Sequence, residues 1–379
     1  MRRILLLFSI VLLAQAAEPD HVERLLAELS EAYGPVGFEG PVRAIMRRAL
    51  TPYVARFETD GLGSLIAVAP ASDAAAPRVM LAAHMDELSL LVKHITPEGF
   101  VKFLPVGGWL DLALVNQRFV ILTRKGPVTG LCALKTPHIM SSEERSRIPR
   151  RDSLFIDVGA TSRQDAEERL GIRPGDPIAP QSRFEKLNGG NLYLGKAWDD
   201  RAGLAVIVEV MRRLKQTPAL CSVYAVATAQ EEVGVRGAKT ASYLVKPDIG
   251  INLEGGVAAD HPGITADEAQ ERIGGGPGMF LHDSFMLPNV KLRDFILDTA
   301  KARGIPVQFE ILSGYGEDGA EMQRAYGGAP SINLTVPTRY MHNHNGVISR
   351  ADFDRTVELV TEVIRRMDSA TVKRLKTFD

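Results

Sequence analysis

Two cysteines in 379 residues, Cys132 and Cys221, are too few for a disulfide framework. They fall in regions of different character, so two buried thiols are expected rather than a bridge. No sign of charge dominates either. Lys and Arg number 45 and Asp and Glu 46, for a formal net charge of -1. The chain therefore has no global field to attract nucleic acid or an anionic membrane, and nucleic-acid binding is not expected. Beyond the first 13 residues no apolar stretch approaches the ~20 residues a membrane span needs. Internal repeats and low-complexity tracts are also missing.

What remains is the balance of an ordinary globular protein, 45% hydrophobic and 24% charged. Its length suits about two domains, or one large domain with an insert. The chain opens MRRILLLFSIVLLAQAAEPD. Arg2 and Arg3 precede an apolar run, and Ala14-Gln15-Ala16 has the form of a signal-peptidase site. Residues 1–16 are expected to be a signal peptide. The mature chain would then begin near Ala17, periplasmic or secreted, with no membrane anchor after processing.

From His21 the residues Val22, Leu25, Leu26 and Leu29 recur on one helical face, and PVRAIMRRAL reads as a second helix. Phe57 to Gly63 reads as a turn-rich bridge. SLIAVAP and RVMLAAH read as strands, the second apolar enough to be central in a sheet. Between about 90 and 193 the segments become short, β-branched and bounded by Gly or Pro, as in RFVILTRKG and LFIDVGA, with one helical stretch at TSRQDAEERLG. After Gly195 strands and helices alternate, ending in a helix from near Ser349. The expected fold class is α/β, with a mainly parallel central sheet flanked by helices. The catalytic domain would comprise 17–89 and 194–379. Residues 90–193 would form an inserted β-rich domain.

The chemistry-bearing residues sit at strand ends. His84 follows RVMLAA, with Asp86 two residues on. Asp199 and Asp200 precede the helix AGLAVIVEV. Glu231 and Glu232 follow CSVYAVATAQ, Glu254 ends IGINL, and His342 follows SINLTV and a turn. Open α/β sheets bind ligands beyond the carboxyl ends of their strands. Each residue alone has a plainer reading, as a core histidine, an N-cap or a solvated acid pair. Together they crowd carboxylates onto one rim, and such groups repel unless cations neutralise them. Histidine with carboxylate suits zinc, and also cobalt or manganese.

The sequence resembles the tetrahedral, or glutamyl-aminopeptidase, family of co-catalytic zinc metallopeptidases (metallopeptidase family forty-two). The resemblance runs over nearly the whole mature chain. It is carried by GFEGPVR, AAHMDE, RKGPVTG, PHIMSSEER and RPGDPIAP, and most strongly by GKAWDDRAG, QEEVGVRGA, GGGP and TRYMH. It implies two divalent metal ions per subunit, held by His84, Asp199, Glu232, Glu254 and His342, with Asp199 shared between them. It makes Glu231 the general base and Asp86 the acid that orients His84. It further implies a barrel-like dimerisation domain in the insert, homo-oligomers from dimer to dodecamer, and peptides as substrates.

Three places depart from the family pattern. Glu254 stands where the family usually has Asp. SGYGEDGAE replaces a Gly-Gly-Thr-Asp-like segment that helps build a substrate pocket or subunit contact, and Asn343-His344-Asn345 replaces a Ser-Pro. His344 is expected to be a spare surface histidine rather than a substrate contact. An acidic-residue pocket would need a basic group near Asp318, with Arg324 and Arg339 as candidates. The expected activity is metal-dependent removal of N-terminal residues. The rival readings are a two-metal carboxypeptidase or N-acyl deacylase, suggested by Glu254, an inactive scaffold, and a glycosidase using Glu231 in a carboxylate pair.

Overall fold

The computed structural model describes residues 19–378; the expected signal peptide at 1–16 lies outside them. An eleven-stranded sheet forms the larger body. Its main path runs Arg56–Thr59, Leu65–Ala69, Ser222–Thr228, Arg78–His84, Ile249–Val257, Ser331–Arg339, Gly346–Ser349, Leu192–Gly195 and Glu185–Lys186. The four strands from Ser222–Thr228 to Ser331–Arg339 are mutually parallel and lie in the middle. The flanking strands pair antiparallel. A parallel centre must be covered on both faces, which explains the near-continuous apolar runs in these strands.

On one face Leu81, Ile251 and Leu334 pack on the helices Trp198–Gln216 and Arg350–Arg365. On the other, Ile66, Met80, Ala82 and Val226 meet Ala241 and Val245 of the helix Arg236–Val245. The helix His21–Glu31 is capped by Asp20, whose carboxylate accepts from Glu23 N at 2.8 Å, and it buries Val22, Leu26 and Leu29.

Six strands between Ser89–Ile95 and Pro177–Pro180 close into a barrel around Leu90, Val101, Phe119, Ile121, Ile156 and Ile178. Glu185–Lys186 and Leu192–Gly195 leave the barrel and join the edge of the large sheet. Cys132 is a free buried thiol in the barrel, and Cys221 is another in the main core.

Three local readings change. Residues 56–59 form a strand, not part of a turn-rich bridge. Asp60 Oδ1 accepts from the amides of Leu62, Gly63 and Ser64 at 2.8–3.0 Å, which closes a tight turn and folds Arg56–Thr59 back on Leu65–Ala69. The helical stretch near 161–171 is a single π turn, Asp165–Arg169. A further helix, Ser369–Leu375, follows the expected last one, because Asp368 caps it through Thr371 N at 2.7 Å.

Candidate metal centre

The parallel strands order the site. Thr228 lies in register with His84, and Glu254 with Thr335, so their carboxyl ends share one rim. Pairing between Arg78–His84 and Ile249–Val257 stops at Ala82 and Asn252. Beyond that point the two strands part. Glu254 projects inside its strand, which continues to Val257, rather than ending it as the sequence suggested.

Left-handed backbone sets the last details. Ala197, Gln230 and His342 have φ of 54°, 59° and 54°. Non-glycine residues held there cluster at functional turns. Asp199 and Asp200 have non-helical dihedrals at the head of Trp198–Gln216, and their peptide bond is cis.

The carboxylate of Asp199 divides between two histidines. Oδ1 lies 2.8 Å from His84 Nε2, and Oδ2 lies 3.2 Å from His342 Nε2. Glu254 Oε1 is 3.5 Å from His84 Nε2, and Glu232 Oε2 is 3.9 Å from His342 Nε2. Among the described residues two donor groups result, His84–Asp199–Glu254 and Asp199–Glu232–His342, each with its ligand atoms within 4.8 Å of one another.

The far side of each ring decides what these groups can hold. His84 Nδ1 faces the backbone carbonyl of Asp86 at 3.0 Å, and His342 Nδ1 faces the carbonyl of Gly108 at 3.1 Å. A carbonyl can only accept, so each Nδ1 carries the proton. A neutral ring then offers a lone pair at Nε2, aimed at carboxylate oxygens that also only accept. A cation between them resolves the conflict. A second ring proton is the alternative. A backbone carbonyl on one ring nitrogen and a free lone pair on the other is the usual arrangement of a metal-ligating histidine.

The electrostatics point the same way. Burial pushes Glu232 and Glu254 up to about 8, with the Asp199 charge adding to it. Burial opposes charging of His342, but Asp199 and Glu232 outweigh it and raise the ring to about 9. His84 is raised well above its ordinary value by Glu254, Asp199 and Asp86, against its burial. Asp199 is held low by its two histidines despite burial.

Supporting residues lock this geometry. The carboxylate of Asp86 accepts from the amides of Glu231 and Glu232 at 3.0 and 3.1 Å. Asp86 thus holds His84 mainly through its carbonyl, its carboxylate Oδ1 lying 3.6 Å from Nδ1. That carboxylate positions the two glutamates. Asp200, fully buried, accepts from the amides of His84 and Gly203. Lys196 is buried against Glu87 at 2.5 Å and the carbonyl of Ala32 at 2.8 Å, tying down the segment after His84. Nothing in the sequence reading gave Lys196, Glu87 or Gly108 a role, although two of them lie inside the motifs GKAWDD and AAHMDE.

Other expectations change. His344 is buried, not a surface residue. Its Nε2 meets the carbonyl of Gln181 at 3.0 Å, and its ring meets Phe119 edge-on at 5.2 Å, joining barrel to sheet. Asp318 is also buried, bonded to Thr228 Oγ1 at 2.5 Å, and lines no cavity at the site. Arg324 pairs with Glu321 at 2.6 Å and Arg339 with Asp260 at 2.8 Å, and neither lines the cavity beside the donor groups.

The sequence model of the M42 glutamyl aminopeptidase family matches residues 63–359. This chain belongs to that family. It is a peptide hydrolase of aminopeptidase type, in a metal-dependent family. A lysyl aminopeptidase of Pyrococcus furiosus is 33% identical over 350 residues, covering 90% of this chain and 96% of the relative. A TET aminopeptidase structure from a marine sediment thaumarchaeon has 41% identity and a TM-score of 0.91, covering 94% of this chain and 99% of that one. The Pyrococcus horikoshii TET1 peptidase, which can assemble into a tetrahedron or a large octahedral shell, has 26% identity and a TM-score of 0.82, covering 91% and 99%.

Proposed function

We propose that this M42 aminopeptidase releases N-terminal residues from peptides at a two-metal centre, with Glu231 as general base. The observation that carries this reading is the divided carboxylate of Asp199, one oxygen toward each histidine. His84, Asp199 and Glu254 would hold one divalent ion, and Asp199, Glu232 and His342 the other. The donor chemistry favours zinc and is compatible with cobalt or manganese. When bound, such an ion pair acidifies water and polarises the scissile carbonyl.

Glu231 enters neither donor group, yet it lines the cavity beside them. Burial raises its carboxyl well above the ordinary value, as do Asp318, Glu254 and Glu232, while His84 opposes the rise. Bound cations would oppose that rise, and the carboxylate would then accept the proton of the attacking water and return it to the departing amine. The substrate's free α-amine would coordinate one of the ions or pair with an acid of the cavity wall, which would restrict cleavage to chain ends.

The test is a peptide panel with free or acetylated N-termini, assayed with and without chelator. Release only from free termini, lost on chelation and restored by metal, is the expected result. Hydrolysis of the blocked peptides would move the assignment to a deacylase or carboxypeptidase.

Metal uptake should also displace protons. Below about pH 8 Glu232 and Glu254 hold protons, and below about 9 so does His342. A cation must expel them, so metal affinity should rise with pH between about 6 and 9. Titration calorimetry in two buffers of different ionisation enthalpy measures the protons released. A pH-independent affinity would contradict the ligand assignment.

Assembly belongs to the same proposal. As with the TET1 peptidase, copies of this chain would combine into a closed homo-oligomer, dimers first, through the domain at 90–193. Residues 17–89 and 194–379 would form the catalytic domain. Export through a cleaved segment at 1–16 would place the enzyme in the periplasm or outside the cell.

A further inference from the structure

We infer that the enzyme selects large apolar N-terminal side chains, such as leucine, methionine and phenylalanine, and that Phe285 is the residue that sets this choice. The inference rests on the aminopeptidase reading above. Identity alone does not settle preference, since the family is described as glutamyl and the P. furiosus relative as lysyl.

A cavity of about 270 Å³ opens beside the two donor groups. Its charged lining consists of Asp199, Glu231, Glu232, Glu254 and His342, all taken up by the metal centre and the general base. Among the described residues lining it there is no Lys or Arg. A glutamate side chain would find no cation there outside the metal centre itself. A lysine would find no acid outside the groups the reaction uses.

The remaining wall is apolar. Tyr315 turns its ring inward, because its hydroxyl donates to the carbonyl of Gly255 at 2.7 Å and its ring stacks on Phe280 at 5.1 Å. Val235 also lines the cavity, at φ 49°, a backbone region that β-branched residues rarely occupy. Phe285 forms the rim. A Cβ at Gly316 would come within 2.1 Å of its ring, so the ring is seated against bare backbone. Asp283 Oδ1 accepts from the amides of Phe285 and Met286, both at 2.6 Å, which fixes the turn that presents the ring. Yet Phe285 is 55% exposed. A large aromatic ring held in place but left uncovered at a reaction cavity is a surface for an apolar side chain to cover. Gly108, Gly314 and Gly316 add no side chains and leave the space open.

The test uses the metal-loaded full chain and p-nitroanilides of Leu, Met, Phe, Ala, Glu and Lys, with acetyl-Leu as the blocked control. The expected kcat/KM for Leu, Met and Phe exceeds that for Glu and Lys by about a hundredfold. Phe285→Ala should lower the Leu-to-Ala ratio of kcat/KM about tenfold, with metal content unchanged. Phe285→Arg should raise Glu relative to Leu about tenfold. Glu or Lys cleaved as well as Leu by the unaltered enzyme would overturn the inference. So would Phe285 variants that keep the Leu-to-Ala and Glu-to-Leu ratios. Cleavage of the acetylated control with none of the free-amine substrates would overturn the aminopeptidase reading beneath it, and this inference with it.

Discussion

Glu231→Gln should retain both metals and lose turnover by about a thousandfold or more, the upper part of the range for removing a general base. The substitution keeps shape and hydrogen-bonding length but cannot take a proton. The positioning of residue 231 does not depend on its side chain, because its amide donates to Asp86 Oδ1. Its carboxylate belongs to neither donor group. Metal content and thermal stability should therefore stay near those of the parent, while release of free amino acids falls. A variant that turns over normally would remove Glu231 from the mechanism. One that loses metal would make it a ligand instead.

Asp199→Ala should be worse still, and for a different reason. Asp199 is the one residue common to both donor groups, so its loss strips a ligand from each site at once. It also leaves Glu232 and Glu254, whose carboxyls burial already pushes up to about 8, without the carboxylate that joins their two groups. Bound metal should fall from about two equivalents to at most one, with activity below detection, a loss of about ten-thousandfold or more. Glu232→Ala and Glu254→Ala serve as comparisons, since each touches a single group and should spare one ion. Elemental analysis after dialysis separates these outcomes. Two equivalents retained with unaltered affinity in Asp199→Ala would exclude a shared carboxylate.

The two halves of the molecule cooperate in this centre through few contacts. The carbonyl that fixes the His342 ring comes from Gly108, in the segment between two barrel strands, while His342 itself follows a strand of the large sheet. Trp109, next to Gly108, donates to the carbonyl of Ser89 at 3.1 Å and holds that segment in place. His344 packs on Phe119 of the barrel from the same turn. The barrel therefore aims a histidine of one donor group in a site that the sheet otherwise builds.

Most of the elements and the candidate site residues could be read from the linear chain. Continuous apolar runs such as RVMLAAH and the helical stretch AGLAVIVEV are local patterns, and local patterns are what a linear chain displays. The acids and histidines at strand ends were legible for the same reason, because a strand's end is marked by where its apolar run stops. Tertiary structure decided everything that depends on which groups meet. Asp199 divides between His84 and His342, residues 115 and 143 positions away. Whether His344 is buried and where Arg339 finds its partner were decided by long-range packing, against Phe119 and Asp260. The Phe285 rim had no signal at all, since one aromatic in a loop looks like any other. Its meaning comes from Gly316 lying beneath it and the metal centre beside it, and sequence spacing does not encode that proximity.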